Sequence, residues 1–160
     1  MILGKPLRAL WCLYNSLSGN YLFLSEMKNE ISTHIINETS IAKYEPKIRI
    51  ETRVKDVERI IHKTIIKRKP VYDILGMRII IEPKHPMDES IFLIYYVAHL
   101  IDSKYNTNME NTDDYIYYKK RNGYQSYHIE IYHKEKKLEI QIRNKAMDIE
   151  AQNGRASIYK

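Results

Sequence analysis

The stretch LEIQIR, residues 138–143, alternates apolar and polar side chains without interruption. Successive side chains of a strand point to opposite faces of its sheet, so this pattern predicts a strand with one apolar and one polar face. The polar face carries Glu139, Gln141 and Arg143. If the strand is central in its sheet, these side chains line a cleft. The alternative is an exposed strand face with an arginine–glutamate pair.

The segments around this strand predict one mixed sheet with helices packed on it. Alternating or β-rich apolar runs predict strands over residues 47–53, 77–81, 114–118 and 127–133. Apolar residues at helical spacing predict helices over residues 21–36 and 57–69. Further helices are predicted at the N-terminus, from residue 88 or 90, and from near residue 144. This order is typical of an α+β domain with a single sheet of about five strands.

Composition and charge limit the classes of function. The chain has 160 residues, a net charge of +6 and one cysteine, Cys12. The positive net charge favours an anionic partner such as a nucleotide, a nucleic acid or a membrane surface. A basic face that only contacts solvent would give the same net charge. A single cysteine excludes a disulfide framework within the chain. The longest apolar run, residues 91–101, is too short to cross a bilayer, and we predict a cytoplasmic protein.

A first polar cluster lies where the strand over residues 47–53 runs into the predicted helix. Arg53 and Lys55 stand at this junction, Lys63 lies on the helix, and Arg78 lies on the next strand. Cations beside the free N–H groups of a helix start are suited to phosphate. Ordinary charge at a strand edge is the competing interpretation.

A second cluster consists of two acids that are far apart in the chain. Asp73 precedes the strand over residues 77–81, and Glu139 lies in LEIQIR. Two carboxylates converging from neighbouring strands suit Mg²⁺, which binds one or two carboxylates together with substrate phosphates. A metal held in this way supports phosphoryl transfer.

A third cluster surrounds a turn in KKRNGYQSYHIEIY, residues 119–132. It offers a cation, hydrogen-bonding groups and an aromatic ring, from Lys120, Asn122, Tyr124, Gln125 and His128. Such a set suits a nucleotide, with charge for the phosphates and a ring for the base. A plain Asn-Gly turn and a structurally satisfied histidine are the alternatives.

Four collinear segments resemble the synthetase domain of the RelA/SpoT family, the enzymes that make the alarmones ppGpp and pppGpp. RVKDVERIIHK at residues 53–63 is similar to the family's R-x-K-S-x-x-S-x-x-x-K, and YDILGMRIII at residues 72–81 is similar to its D-L-x-G-x-R-I strand. DYIYYKKRNGYQSYH at residues 114–128 resembles D-Y-I-x-x-P-K-x-N-G-Y-Q-S-x-H. The segment from residue 138 to 160 resembles V-E-[IV]-Q-I-R-T-x-x-M followed by A-E-x-G.

The resemblance implies a nucleotidyltransferase-like synthetase fold over residues 46–160, with residues 1–45 as a helical segment packed on it. It implies a pyrophosphokinase that moves the β,γ-pyrophosphate of ATP to the 3′-OH of GDP or GTP. Asp73 and Glu139 would hold Mg²⁺, or Glu139 would act as general base on the ribose hydroxyl. The ATP-binding residues would be Arg53, Lys55, Lys63 and Arg78. The GDP- or GTP-binding residues would be Lys120, Asn122, Tyr124, His128, Gln141 and Arg143.

Departures from the family pattern keep other functions open. Asp56 and Arg59 stand at the two serine positions, and Asn144 stands at the threonine position after Q-I-R. One alternative is a toxin-type relative that pyrophosphorylates tRNA 3′ ends or adenine nucleotides. Another is a catalytically weak module that binds nucleotides or RNA. The oligomeric state is left open by the sequence.

Overall fold

The computed structural model describes residues 5–54, 75–84, 88–105, 107, 112–155 and 157. Within these ranges, the side chains of residues 5–17, 88 and 89 are not described. The predicted helix over residues 57–69 and the predicted site residues Lys55, Lys63 and Asp73 lie outside the described residues. None of the helices in the described part of the chain has the length and apolar character that a membrane span requires.

The described strands form one mixed five-stranded sheet. They are β1 (Lys47–Val54), β2 (Leu75–Glu82), β3 (Asp113–Asp114), β4 (Tyr127–His133) and β5 (Lys136–Asn144), in the order β1-β2-β5-β4-β3. β2 and β5 are parallel, and the other neighbours are antiparallel. The strand that contains LEIQIR therefore lies at the centre of the sheet. This arrangement confirms the predicted α+β class with a single mixed sheet.

Two long helices, Lys5–Ile36 and Asp88–Tyr105, cover the apolar face of this sheet. The described helices are α1 (Lys5–Ile36), α2 (Thr39–Ala42), α3 (Asp88–Tyr105) and α4 (Lys145–Asn153). Leu24, Met27, Ile31 and Ile35 of α1 recur on one side of the helix and are buried in the same core as the apolar side of β5. Each such side chain contributes about 1.5–3 kcal/mol when it is fully removed from water. The division of this one domain into a helical segment over residues 1–45 and a synthetase core over residues 46–160 stays a prediction.

The N-terminal helices are predicted as two segments, but the structure shows one helix from Lys5 to Ile36. Gly19 lies between the two predicted segments, and a methyl group there would meet nothing within 4 Å. A single glycine costs a helix only about 1 kcal/mol relative to alanine, so it does not by itself end one. The next helix, α2, is short, and Glu38 caps it by accepting a hydrogen bond from the Ser40 amide at 3.2 Å.

The predicted strand over residues 114–118 is wrong for most of its length, because β3 ends at Asp114. The Asp114 carboxylate accepts hydrogen bonds from the amides of Ile116 at 3.0 Å and Tyr117 at 2.9 Å. It also accepts one from the Tyr95 hydroxyl at 2.8 Å. An aspartate that binds its own following amides turns the chain and removes those amides from the ladder.

A two-residue turn at Lys134 and Glu135 sets the register between β4 and β5. Both residues have positive φ, 48° and 60°, as the favoured hairpin turns require. The register places His128 opposite Gln141, and Glu130 opposite Glu139. Because side chains alternate along a strand, a slip of one residue would move His128 to the other face.

Candidate active site

The sheet register brings the predicted polar residues together in two adjacent rows. The first row runs Arg53, Gly76, Glu139 and Glu130, and the second runs Glu51, Arg78, Gln141 and His128. Residues of both rows line a pocket of about 90 Å³ on the polar face. The polar side of LEIQIR therefore faces a cleft formed by three strands, as its central position predicts.

Glu139 lies at the middle of the first row and is held at both carboxylate oxygens. Its Oε1 lies 3.4 Å from His128 Nδ1, and its Oε2 accepts a hydrogen bond from Gln141 Nε2 at 3.0 Å. The His128 contact is the main cause that lowers the pKa of Glu139; burial opposes this effect, and Gln141 and Arg53 add to it. Glu139 is therefore a carboxylate at neutral pH, with 25% of its side chain exposed.

Replacing His128 with alanine is expected to raise the pKa of Glu139, because it removes the main interaction that lowers it. A depressed carboxyl pKa contributes stability above the ordinary carboxyl pKa, and this stability is lost as pH falls through the folded-state pKa. As the pH falls from the ordinary carboxyl pKa through the folded-state pKa of Glu139, the wild-type protein should therefore lose more stability than the variant. A carbon-13 NMR titration of the Glu139 carboxyl checks the direction of the shift.

The control for this titration is His133→Ala, since His133 belongs to β4 but lies on the opposite face of the sheet. His133→Ala should leave the Glu139 titration unchanged. An unchanged midpoint in His128→Ala would show that the His128 contact does not govern the charge of Glu139.

An aromatic cluster continues from His128 towards the Asn-Gly turn. The Tyr124 hydroxyl lies 2.8 Å from His128 Nε2, so the imidazole bridges Tyr124 and Glu139. Tyr115 contacts both rings edge-on, with ring centroids 6.0 Å from Tyr124 and 5.1 Å from His128. Lys120 Nζ lies 3.7 Å from the Tyr115 ring centroid, within cation–π range. Burial raises the pKa of Tyr124, which keeps its hydroxyl protonated at neutral pH.

The turn at Asn122 and Gly123 has its own internal bonds. Asn122 Oδ1 accepts a hydrogen bond from the Tyr124 amide at 3.2 Å, and Gly123 has φ 87°. Backbone bonds from Gly123 N to Lys120 O at 2.9 Å and from Lys120 N to Tyr124 O at 3.2 Å close the turn. Asn122 therefore stabilises the turn, as expected if Asn122 and Gly123 simply form a turn. Its role as a nucleotide ligand stays a prediction.

Arg53 lies across Gly76, a residue that sequence reasoning did not single out. A Cβ built on Gly76 would stand 3.2 Å from both Cγ and Nε of Arg53. The absent side chain thus leaves the space that the Arg53 side chain occupies beside Glu139. The glycine in YDILGMR, residues 72–78, is the sequence feature that indicates this contact, because a glycine inside a strand often marks a place where another group comes close to the backbone.

Arg78 and Arg143 form a charged group at one end of the polar face, together with Asp148 of α4. Arg143 is 1% exposed and forms an ion pair with Asp148. Asp148 also accepts a hydrogen bond from Arg49 Nη2 at 3.1 Å, and Arg78 Nη1 donates one to Glu51 Oε2 at 3.1 Å. Burial and the nearby Arg78 lower the pKa of the Arg143 guanidinium. Arg143 is therefore on the predicted face but packs under α4.

Sequence reasoning did not single out Asp148 as a site residue. Asp148 is buried on α4 together with Met147 and Ala151. A charged residue on the apolar side of a predicted helix is a signal for a buried ion pair, since a charge is rarely buried without a partner.

The described residues provide one well-placed anionic ligand for a metal. They contain no group of three or more histidine, cysteine, aspartate or glutamate side chains arranged around a common point. Glu139 nevertheless fits Mg²⁺, because its carboxylate is ionised, partly exposed and oxygen-donating. The second predicted ligand, Asp73, belongs to the part of the chain whose structure is not described.

Solved structures with the same fold come from small bacterial proteins. The small alarmone synthetase 2 of Bacillus subtilis aligns with 91% of this chain and 79% of its own, at 27% identity and a TM-score of 0.66. The small alarmone synthetase 1 of the same organism aligns with 92% of this chain and 78% of its own, at 24% identity and a TM-score of 0.70. At this identity the second match shows a shared fold alone.

Sequence comparison gives the family. A GTP pyrophosphokinase of Photobacterium angustum is 28% identical over 139 residues, which is 83% of this chain. The chain spans only 18% of that relative's length, and 14% of the length of a chloroplastic relative from Oryza sativa subsp. japonica. The family described as the region found in RelA / SpoT proteins matches residues 52–160. This match covers most of the chain and contains the end of β1 and all of β2 to β5, so the chain belongs to the RelA/SpoT family.

Proposed function

We propose that the chain is a Mg²⁺-dependent pyrophosphokinase that transfers the β,γ-pyrophosphate of ATP to the 3′-OH of GDP or GTP. The observation that carries this proposal is the ionised Glu139 carboxylate, set between Arg53 on one side and His128 and Tyr124 on the other. The name of the Photobacterium angustum relative supports the activity. So does a structure of the Bacillus subtilis small alarmone synthetase 1 bound to its product pppGpp.

The donor side would be formed by Arg53 and Arg78, together with Lys55 and Lys63. Pyrophosphoryl transfer depends on alignment and charge neutralisation, and it needs no covalent intermediate on the protein. Arg53 is exposed and lies beside Glu139, so its guanidinium is available to polyphosphate oxygens. Arg78 is less exposed and is tied to Glu51, which suits it to a supporting role.

The acceptor 3′-oxygen would bond to the β-phosphorus of ATP while the bond from that phosphorus to the oxygen bridging the α- and β-phosphates breaks, which releases AMP. The lowered pKa of Glu139 makes it a weak base and a good anionic ligand. We therefore assign Glu139 first to Mg²⁺, shared with Asp73, and second to the 3′-OH, whose hydrogen bond it would accept and whose proton it would take as the new O–P bond forms. Bound Mg²⁺ supplies charge neutralisation on the phosphates.

The acceptor nucleotide would lie against the aromatic cluster and the turn. Tyr124 would stack on the base, and its hydroxyl contact fixes His128 on the Glu139 side. Lys120 and Asn122 of the turn would contact the sugar and phosphates. Gln141 would hold Glu139 in place, as its hydrogen bond indicates. Arg143 would support this end through Asp148, without contacting the nucleotide.

Gly76→Val is expected to weaken ATP binding by about ten- to a hundredfold while the sheet stays folded. The new side chain would take the space now occupied by Arg53, and losing one charge-assisted phosphate contact costs about 1.5–3 kcal/mol. Valine is favoured in strands, so strand formation itself should not suffer. Calorimetry with a non-hydrolysable ATP analogue measures the affinity, and thermal unfolding measures the fold.

Arg53→Ala is the matched variant for Gly76→Val. If Gly76 acts through Arg53, the double variant should bind the analogue no more weakly than either single variant. Additive losses would mean that valine disturbs the site by another route.

The test of the proposed function is a transfer assay with ATP labelled at the γ-phosphate, Mg²⁺, and GDP, GTP, ATP or deacylated tRNA as separate acceptors. Label on GDP or GTP with release of AMP supports the proposal. Folded protein that transfers label to none of these acceptors contradicts it. Omission of Mg²⁺, with EDTA present, should abolish transfer.

A second candidate acceptor is the 3′ end of an RNA. Tyr117 and Tyr118, 75% and 73% exposed, adjoin the exposed cations Lys119 and Arg121. Exposed rings next to cations suit single-stranded nucleic acid, because rings stack on bases while cations contact phosphates. The tRNA acceptor in the transfer assay decides between this candidate and free nucleotides. A binding module without catalysis would show steeply salt-dependent RNA binding and no transfer.

A further inference from the structure

A second, larger pocket lies between the turn at residues 119–125 and the helix α4. Its volume is about 690 Å³, which is within the range of small-ligand sites. Lys119, Arg121 and Arg155 supply cations to its lining, and Glu150 supplies a carboxylate. The motifs that identify the family do not specify residue 150.

Two glycines make room for the Glu150 side chain. A Cβ on Gly123 would stand 3.3 Å from Glu150 Oε1, and a Cβ on Gly154 would collide with both carboxylate oxygens. Oε1 also accepts a hydrogen bond from the Arg155 amide at 3.1 Å. The carboxylate is therefore held at a defined place, between the turn and the end of α4. Each carboxylate oxygen has two lone pairs, so an additional donor can still bind.

Glu150 lies beside the turn that carries Tyr124, the residue proposed to bind the base of the acceptor nucleotide. Gly123 precedes Tyr124, the residue that would stack on that base under the proposed function. The carboxylate and the ring thus flank the same turn, and the cations Lys119 and Arg121 lie on the same pocket lining. The pocket offers a nucleotide a carboxylate for the edge of a base and cations for its phosphates, next to the turn that carries Tyr124.

A carboxylate discriminates between purines by their hydrogen-bonding edges. Guanine presents two adjacent donors, N1–H and the 2-amino group, which match the two oxygens of one carboxylate. Adenine presents the N1 lone pair beside its 6-amino group, so one carboxylate oxygen would face an acceptor. We propose that Glu150 is a specificity-determining residue that selects guanine as the acceptor base by accepting hydrogen bonds from N1–H and the 2-amino group. This inference rests on the proposed function, which does not itself say how the base is chosen.

The test is the variant Glu150→Gln. Calorimetry measures how tightly the full chain binds GDP, xanthosine diphosphate (XDP) and ADP in the absence of ATP. The amide keeps one acceptor for N1–H and gains a donor that matches the 2-oxo group of xanthine but not the 2-amino group of guanine. We expect GDP affinity to fall about ten- to a hundredfold and the XDP-to-GDP affinity ratio to rise by at least about the same factor. A purely structural role at the end of α4 would weaken all nucleotides alike.

Gly154→Ala provides a second variant that leaves the glutamate in the chain. Gly154 has φ −85°, a conformation that alanine adopts, and the added methyl group would displace the Glu150 carboxylate. It should lower GDP affinity without raising XDP affinity, and it keeps the proposal testable if Glu150→Gln does not fold. Glu135→Gln in the β4–β5 turn removes the same charge far from the pocket and should leave both affinities unchanged.

The outcomes separate this inference from the function on which it rests. A raised XDP-to-GDP ratio in Glu150→Gln, with lowered GDP affinity in Gly154→Ala, supports it. Wild-type binding and transfer to GDP, with purine preference unchanged in both variants, overturns the inference and leaves the proposed function standing. Equal binding of ADP and GDP by the wild-type protein also overturns the inference. A wild-type protein that binds no guanine nucleotide and transfers no label to one overturns both.

Discussion

Glu139→Gln should lower the rate of pyrophosphoryl transfer by about 10²–10⁴-fold while the protein stays folded. Glutamine keeps the volume and one acceptor oxygen of glutamate, so one of the two contacts, with His128 or with Gln141, can be retained as it is. What disappears is the negative charge at the centre of the polar face. Under the proposed function that charge holds Mg²⁺ and accepts the hydrogen bond of the 3′-OH, and both interactions are needed in the transition state.

Glu130→Gln is the matched control for this variant. Glu130 lies opposite Glu139 in the sheet register and pairs with Lys137 at 2.6 Å. The control therefore removes the same charge from the same row of the sheet, and it should change the rate less than about tenfold. The label-transfer assay gives both rates, and circular dichroism confirms the fold. Equal losses in the two variants would contradict a specific role for Glu139, because any carboxylate of the row would then serve.

Asp148→Ala is expected to destabilise the protein by about 3–5 kcal/mol, the usual cost of removing one partner of a buried ion pair. Arg143 is 1% exposed, and the substitution would leave its guanidinium buried without this carboxylate. Asp148 also binds Arg49 and accepts a hydrogen bond from Gln152 Nε2 at 2.9 Å. The carboxylate therefore joins α4 to β5 and β1, and urea unfolding measures its contribution.

Gln152→Ala serves as the comparison for Asp148→Ala, because it removes a neutral partner of the same carboxylate from an exposed position on α4. Its cost should be below about 1.5 kcal/mol. Arg143→Met combined with Asp148→Ala tests the cause, since removing both charges should recover part of the lost stability. An Asp148→Ala variant as stable as wild type would mean that Arg143 finds another anion or reaches water.

The strands of the core illustrate what alternation can and cannot predict. The predicted strand over residues 127–133 coincides with β4, and LEIQIR lies within β5. Alternation is reliable there because both strands bury one face against helices. The predicted strand over residues 114–118 failed because the Asp114 side chain competes for the amides that a ladder would use. A local hydrogen bond of this kind leaves no mark on hydrophobic periodicity.

In the candidate site, too, some residues could be predicted from the sequence and others could not. Glu139, Gln141 and His128 follow from a strand pattern and a motif, and the sheet brings them together at contact distance. Gly76, Asp148 and Glu150 matter through partners that are 23, 5 and 27 residues away along the chain. Their spatial relations depend on register, helix orientation and turn geometry, none of which can be read from one segment alone.

The sequence by itself determined the fold class, the central strand with its polar face, and the family motifs, because these depend on side-chain periodicity and on residue identity along short segments. Tertiary structure decided which polar groups touch. It set His128 between Tyr124 and Glu139, and it buried Arg143 against Asp148. The physical reason is that charge, burial and hydrogen bonding act over a few ångströms in space, and only the folded sheet determines which distant residues come that close.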